Sequence, residues 1–137
     1  MEVLKVNNLK KYYGNNTNIT NITKALNNIS FTVSNNEFLA IMGASGSGKT
    51  TLLNTISTID SVTSGNIIIN GVDITNLSEE DLSNFRKENL GFVFQDFNLL
   101  DTLTIKENIA LSLIINKEDK NKIDDLVLDI SKKLGIS

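Results

Sequence analysis

The chain has 137 residues, 40% hydrophobic and 21% charged, a size and balance suited to one globular domain with a real core. Its formal net charge of -3 offers no basic field for nucleic acid or anionic lipid, so any phosphate recognition has to be local. Without cysteine or histidine, disulfides, thiolate metal sites and imidazole chemistry are excluded, leaving Lys, Thr, Gln and carboxylates.

No apolar run reaches the roughly 18 residues of a membrane span, and Met1-Glu2-Val3-Leu4 opens no signal peptide. The expected place is the cytoplasm, without direct membrane insertion. Val3-Leu4-Lys5-Val6 alternates as a half-buried strand would, and the chain then runs through Leu9 to Tyr13-Gly14. Tyr13 admits two readings: an aromatic face that stacks on a purine, or a strand-end tyrosine that covers the core. The residues alone leave both open. Residues 15–23 read N-N-T-N-I-T-N-I-T, a low-complexity polar stretch expected to form an exposed hairpin loop. Its N-x-[ST] triplets follow from an Asn-rich composition and are not read as glycosylation sites. Ile29, Phe31 and Val33 alternate as a second strand that Asn35-Asn36 turns back.

Phe38-Leu39-Ala40-Ile41-Met42 is a short apolar run of buried-strand type, and it leads into Gly43-Ala44-Ser45-Gly46-Ser47-Gly48-Lys49-Thr50. These eight residues fit G-x-x-x-x-G-K-[ST] at every fixed position. Such a loop brings backbone N–H groups to phosphate oxygens, and Gly43, Gly46 and Gly48 allow an approach that a Cβ would obstruct. Lys49 adds a point charge for β- and γ-phosphates, and Thr50 a hydroxyl for Mg²⁺. The helix that starts here, through Leu52, Leu53, Ile56 and Ile59, aims its unpaired N–H groups at the same anion. A flexible Gly/Ser connector is the plain alternative, but a connector has no use for Lys-Thr at its end. The glycines fall as G-x-x-G-x-G, so the dinucleotide-binding fingerprint is absent.

Ser64-Gly65 opens Asn66-Ile67-Ile68-Ile69, and Asn70-Gly71 marks a tight turn into Val72-Asp73-Ile74, predicting a hairpin. Ser78 with Asp81 is a capping signature for a short helix with Leu82 and Phe85 inward and Arg86, Lys87 and Glu88 in water. Leu90-Gly91-Phe92-Val93-Phe94 is expected to be another strand, with Phe92 and Phe94 in the core, ending in Gln95. Phe97, Leu99, Leu100 and Leu103 follow without periodicity, a composition suited to an apolar contact patch. Thr104 with Glu107 caps a helix through Ile109, Leu113 and Ile114. In the last helix Ile123, Leu126, Val127, Ile130 and Leu134 share one stripe, Lys132 and Lys133 occupy the final turn, and Gly135 is the stop.

Taken together, Tyr13-Gly14, residues 43–51 including Thr51, Ser64-Gly65-x-Ile67-x-Ile69-Asn70-Gly71 and Gly91-Phe92-Val93-Phe94-Gln95 resemble the nucleotide-binding subunit of an ABC transporter. Leu82-Ser83-x-Phe85-Arg86, the run from Phe94 to Thr104, and Glu107-Asn108 resemble most closely bacterial exporters of bacitracin-like antimicrobial peptides. Lipoprotein-release and macrolide-export ATPases are near relatives. The resemblance implies an α/β P-loop fold: an antiparallel β subdomain and P-loop core over residues 1–95, with the start of a helical subdomain over 96–137. It implies ATP and Mg²⁺ as cofactors, Tyr13 as the adenine-stacking residue, Gly43, Ala44, Ser45, Gly46, Ser47, Gly48, Lys49, Thr50 and Thr51 around the phosphates, and Thr50 and Gln95 serving the metal and the attacking water. It also implies a transmembrane permease partner, a homodimer of the complete subunit, no nucleic acid, and a peripheral place at the inner face of the cell membrane. Gln95 has the acceptor and donor such a role needs; an ordinary exposed glutamine is the alternative.

The L-S-G-G-Q signature, an apolar strand ending in Asp-Glu, and a later switch histidine do not occur in these residues. The chain therefore reads as an N-terminal part that binds ATP without hydrolysing it. Two other classes compete: a non-catalytic, nucleotide-responsive interaction module, and another soluble P-loop enzyme, against which the missing N-K-x-D guanine pattern counts.

Overall fold

The computed structural model describes residues 1–14 and 21–136. These form two compact units, residues 1–92 and 93–137. In the first, β1 (Glu2–Tyr13), β2 (Thr23–Ser34), β3 (Ser64–Ile69) and β4 (Val72–Asp73) make a four-stranded sheet in the order β2-β1-β3-β4. Every neighbouring pair is antiparallel. The expected loop at 15–23 lies mostly outside the described residues.

β1 is the spine of this sheet, and it changes register as it goes. Its pairing with β2 and with β3 slips after Val6 and Asn7, where Asn8 takes φ 47. Asn tolerates this left-handed conformation because its short polar side chain can bond locally. Opposite the slip lies Gly65 at φ 86, where a Cβ would come 2.5 Å from the Asn8 carbonyl oxygen; only glycine lets β3 follow β1 past the bulge. Beyond it, alternation places Leu9, Lys11 and Tyr13 on one face.

The hydrophobic side of the sheet is closed by helices. Val6, Leu9, Leu26, Ile67 and Ile69 pack with Leu52 of α1 (Lys49–Ile56), Ile74 of a 3-10 turn (Ile74–Asn76) and Phe85 of α2 (Glu79–Asn89). Leu9 and Ile67 are wholly inaccessible to solvent. The Asn70-Gly71 turn joins β3 to β4 as expected, with Ile69 opposite Val72. Asp73 then caps the 3-10 turn through the Thr75 N–H, and Ser78 caps α2 through the Asp81 N–H. Arg86 departs from the solvated role expected of it. Its Nη1 donates to the Thr58 carbonyl at 2.8 Å and hydroxyl at 3.1 Å, tying α2 to the loop after α1. A cation suits that loop, because carbonyls near a helix C-terminus lack intrahelical partners.

Two expected strands are not formed. Residues 38–42 make no ladder among the described residues, and Phe38 is 96% and Met42 89% exposed. Residues 90–94, which straddle the boundary between the units, are likewise not assigned as a strand. Phe92 and Phe94, expected in the core, are 40% and 50% exposed. For residues 38–42, an apolar run makes extended backbone favourable, but a strand exists only where another backbone supplies its hydrogen bonds.

In the second unit, α3 (Ile105–Ile115) begins in a full capping box between Thr104 and Glu107. α4 (Lys120–Leu134) begins at an Asp119 cap and ends on Gly135 at φ 69. Ala110, Val127 and Ser131 are buried between or beside the two helices. Ahead of α3, the Asn108 amide holds the irregular segment: it accepts from the Leu100 N–H at 2.9 Å and donates to the carbonyls of Leu100, Leu103 and Thr104. No helix among the described residues is long and apolar enough to cross a membrane.

Candidate nucleotide site

Lys49 is the first residue of α1, and the preceding loop wraps around its side chain. Its ammonium donates to the carbonyls of Gly43 and Ala44, both at 2.7 Å, and to the Ser47 hydroxyl at 3.2 Å. The loop folds back on itself through a Ser47 N–H to Ala44 carbonyl bond of 3.1 Å. A cation is thus held inside a ring of loop oxygens at a helix start. Gly46 and Gly48 have positive φ, 78 and 96, so the special backbone expected of the loop is present at those positions. A Cβ at Gly48 would press into the Ala25 carbonyl, which explains why glycine stands where the loop passes β2.

α1 has no side-chain cap at its N-terminus. Its first N–H groups therefore have no intrahelical or capping acceptor, and they carry the positive end of the helix dipole. An open cleft of about 530 Å³ lies over this end. Ser45, Gly46, Gly48, Lys49, Thr50 and Thr51 form one wall, and residues 23–25 at the start of β2 form the other. Thr50 is exposed there. Backbone donors, a lysine, hydroxyls and a glycine-lined opening are the donor set that a polyphosphate with a divalent cation requires, so the residues fit that group.

Tyr13 is brought to the edge of the same place. It ends β1, is 43% exposed, and faces Thr51 in the first turn of α1. Its hydroxyl donates to Asp60 Oδ2 at 2.6 Å, and the Lys11 ammonium lies 4.9 Å from its ring centroid. The bond to Asp60 is the main reason the Tyr13 phenol titrates above its ordinary value. The Asp60 carboxyl is in turn held below the usual carboxylate range, first by the Lys11 hydrogen bond and then by that of Tyr13. Gln95 sits in an exposed bend in the second unit, not at the end of a strand.

Residues 26–137 match the family described as ABC transporter. The chain belongs to the ABC transporter family. Over 136 residues it is 47% identical to the bacitracin export ATP-binding protein BceA of Halalkalibacterium halodurans, covering 99% of this chain and 53% of BceA. It is 37% identical over 136 residues to the macrolide export ATP-binding/permease protein MacB of Mannheimia succiniciproducens, covering 99% of this chain and 21% of MacB. Among solved structures, the ATP-binding cassette MJ0796, a dimer in a post-hydrolysis state bound to ADP and Pi, superposes with a TM-score of 0.83. It shares 35% sequence identity over 94% of this chain and 56% of that one. The fold is accordingly the α/β P-loop fold of an ABC-type nucleotide-binding domain, of which the chain spans about half the length of BceA.

Within this ABC cassette, the sequence pattern singled out the P-loop and Tyr13, and the structure places Tyr13 beside Thr51. It did not single out residues 23–25, Lys11 or Asp60. Lys11 did carry a signal. It lies two residues after the apolar Leu9 and two before Tyr13, so strand alternation turns it toward the core, where a lysine requires a carboxylate. Which carboxylate could not be read from spacing, because Asp60 is 49 residues away.

Proposed function

We propose that residues 43–51 hold the phosphates of ATP, that Tyr13 receives the adenine, and that Thr50 ligates Mg²⁺; a metal role for Gln95 is supported by the sequence pattern alone. The observation that carries this reading is the Lys49 ammonium, ringed by Gly43, Ala44 and Ser47 oxygens at the uncapped start of α1. Phosphate oxygens are stronger acceptors than those carbonyls, so Lys49 exchanges loop contacts for the anion while the α1 N–H groups gain acceptors. Bound Mg²⁺ supplies neutralisation of phosphate charge.

The complete protein, on this reading, is the ATP-binding subunit of an ABC exporter, pairing with a second copy and with a separate transmembrane permease. Similarity to BceA, a bacitracin export ATP-binding protein, and to MacB, a macrolide export ATP-binding/permease protein, supports export of a peptide or lipophilic substrate. Its place is the cytoplasm, peripheral at the inner face of the membrane. Residues 1–95 then form the β subdomain and P-loop core, and 96–137 open the helical subdomain.

These 137 residues alone bind ATP without turning it over. P-loop ATPases also place a carboxylate at the metal and a water-positioning group at the nucleophile. Two substitutes stand beyond Gln95 in the sequence, Asp101 and Glu107, and Glu107 is engaged in capping: it accepts from the Thr104 N–H and hydroxyl, both at 2.7 Å. Titration calorimetry with Mg-ATP tests binding, and Lys49→Ala is expected to weaken it about tenfold or more. Equal affinity of the two proteins would overturn the site. A phosphate-release assay tests turnover, and ordinary ATPase rates abolished by Lys49→Ala would show that the catalytic carboxylate lies within these residues.

A further inference from the structure

We propose that Lys11 and Asp60 are positioning residues that set the Tyr13 ring for the nucleobase; this rests on Tyr13 being the base platform. Lys11 is buried at 7% exposure, so its ammonium has to be satisfied inside the protein. It donates to Asp60 Oδ1 at 2.8 Å and to the Ser61 carbonyl at 2.6 Å, and it lies over the Tyr13 ring. Both Asp60 oxygens are in use. Oδ1 accepts from Lys11 and from the Ser61 N–H at 2.8 Å, while Oδ2 accepts from the Tyr13 hydroxyl at 2.6 Å.

The loop that carries Asp60 is itself anchored. The N–H groups of Ile59 and Asp60 donate to the Asn54 carbonyl at the end of α1, and Arg86 bonds Thr58. Tyr13 is therefore held at its hydroxyl by a fixed carboxylate and covered on one ring face by a fixed cation, while 43% of the residue stays accessible. The base stacks on the uncovered face. A phenol already restrained in the bound orientation loses little freedom on binding, which is what a positioning pair contributes. The pair is also neutral as a unit. Loss of both partners leaves the field at Lys49 and the α1 N-terminus nearly unchanged, and loss of one changes it for any phosphate ligand alike, so a positioning effect is read in the base and not in the phosphates.

That separation gives the test. The full chain is titrated with Mg-ATP and with Mg-tripolyphosphate, which carries the phosphates without a base. Tyr13→Phe, which keeps the ring and removes the hydroxyl, is expected to lower ATP affinity about threefold to tenfold with tripolyphosphate affinity unchanged, and Asp60→Ala, whose unpaired Lys11 charge acts on both ligands alike, to lower the ratio of ATP to tripolyphosphate affinity by the same factor. The double variant is expected to lose no more than Asp60→Ala alone. Tyr13→Ala tests the platform itself. If it leaves the ratio of the two affinities at the wild-type value, the platform reading fails and the proposal with it. If Tyr13→Ala lowers the ratio while Tyr13→Phe and Asp60→Ala do not, the platform stands and the positioning role is overturned. Equal losses for both ligands in Asp60→Ala would mark it as a general structural residue and overturn the proposal too. Should Asp60→Ala fail to fold, Tyr13→Phe alone decides.

Discussion

The two units of this chain use apolar residues differently. In residues 1–92, strands distant in sequence pair so that Val6, Leu9, Leu26 and Ile67 are almost completely removed from water beneath α1 and α2. In residues 93–137, the helices are well capped and regular, yet Ile114, Ile115, Leu128 and Leu134 are 54%, 62%, 49% and 65% exposed. Well-formed helices are thus no guide to a closed core. Caps and periodicity act over one or two turns, whereas burial requires a second surface to arrive.

The largest effect that tests this contrast is loss of a central side chain. Ile67→Ala is expected to destabilise the first unit by about 2–5 kcal/mol, whereas Leu134→Ala and the 96%-exposed Phe38→Ala should each stay within about 0.5 kcal/mol. Amide hydrogen exchange, read separately in the two units, measures this. A large cost at Phe38 would show that residues 38–42 are covered after all. Next in size is Gly48→Ala, which forces a Cβ into a φ of 96 against the Ala25 carbonyl. Strain of that kind costs about 1–3 kcal/mol, and the expected readout is a lower unfolding midpoint together with weaker ATP binding.

Caps should behave alike in both units because they close locally. Ser78→Ala and Thr104→Ala each remove a side-chain acceptor from a first-turn N–H, at an expected cost of about 1 kcal/mol in urea denaturation. A much larger loss in one would tie that cap to tertiary packing. The pH dependence adds a smaller, directional test. Asp60 titrates below its ordinary 3.8 because Lys11 and then Tyr13 bond its charged form. A depressed carboxyl contributes stability that is complete above the unfolded value and is lost as pH falls from there through the folded value. Asp60→Asn should therefore flatten the acid limb of the stability curve below 3.8 in the first unit and leave the second unit unchanged. A small effect, read in the same urea denaturation, is expected of Lys133→Ala. Its ion pair with Asp129 spans one helical turn with both side chains more than 60% exposed, and such pairs contribute about 0–1 kcal/mol.

The P-loop, the helix starts of α2 and α3, and the Asn70-Gly71 hairpin turn were all written in short stretches of sequence, and Gly135 ended the last helix as expected. Each is closed by hydrogen bonds between residues a few positions apart, so composition and spacing determine it. The tertiary structure decided the rest. It left residues 38–42 and 90–94 without strand assignment, turned Arg86 from solvent to the Thr58 carbonyl, and gave the buried Lys11 its carboxylate. The last of these depends on the register of β1 beyond the bulge at Asn8 and on a loop 49 residues further on. A one-residue slip there would turn Lys11 to the other face of the sheet, and nothing within a few residues of Lys11 encodes where Asp60 will be.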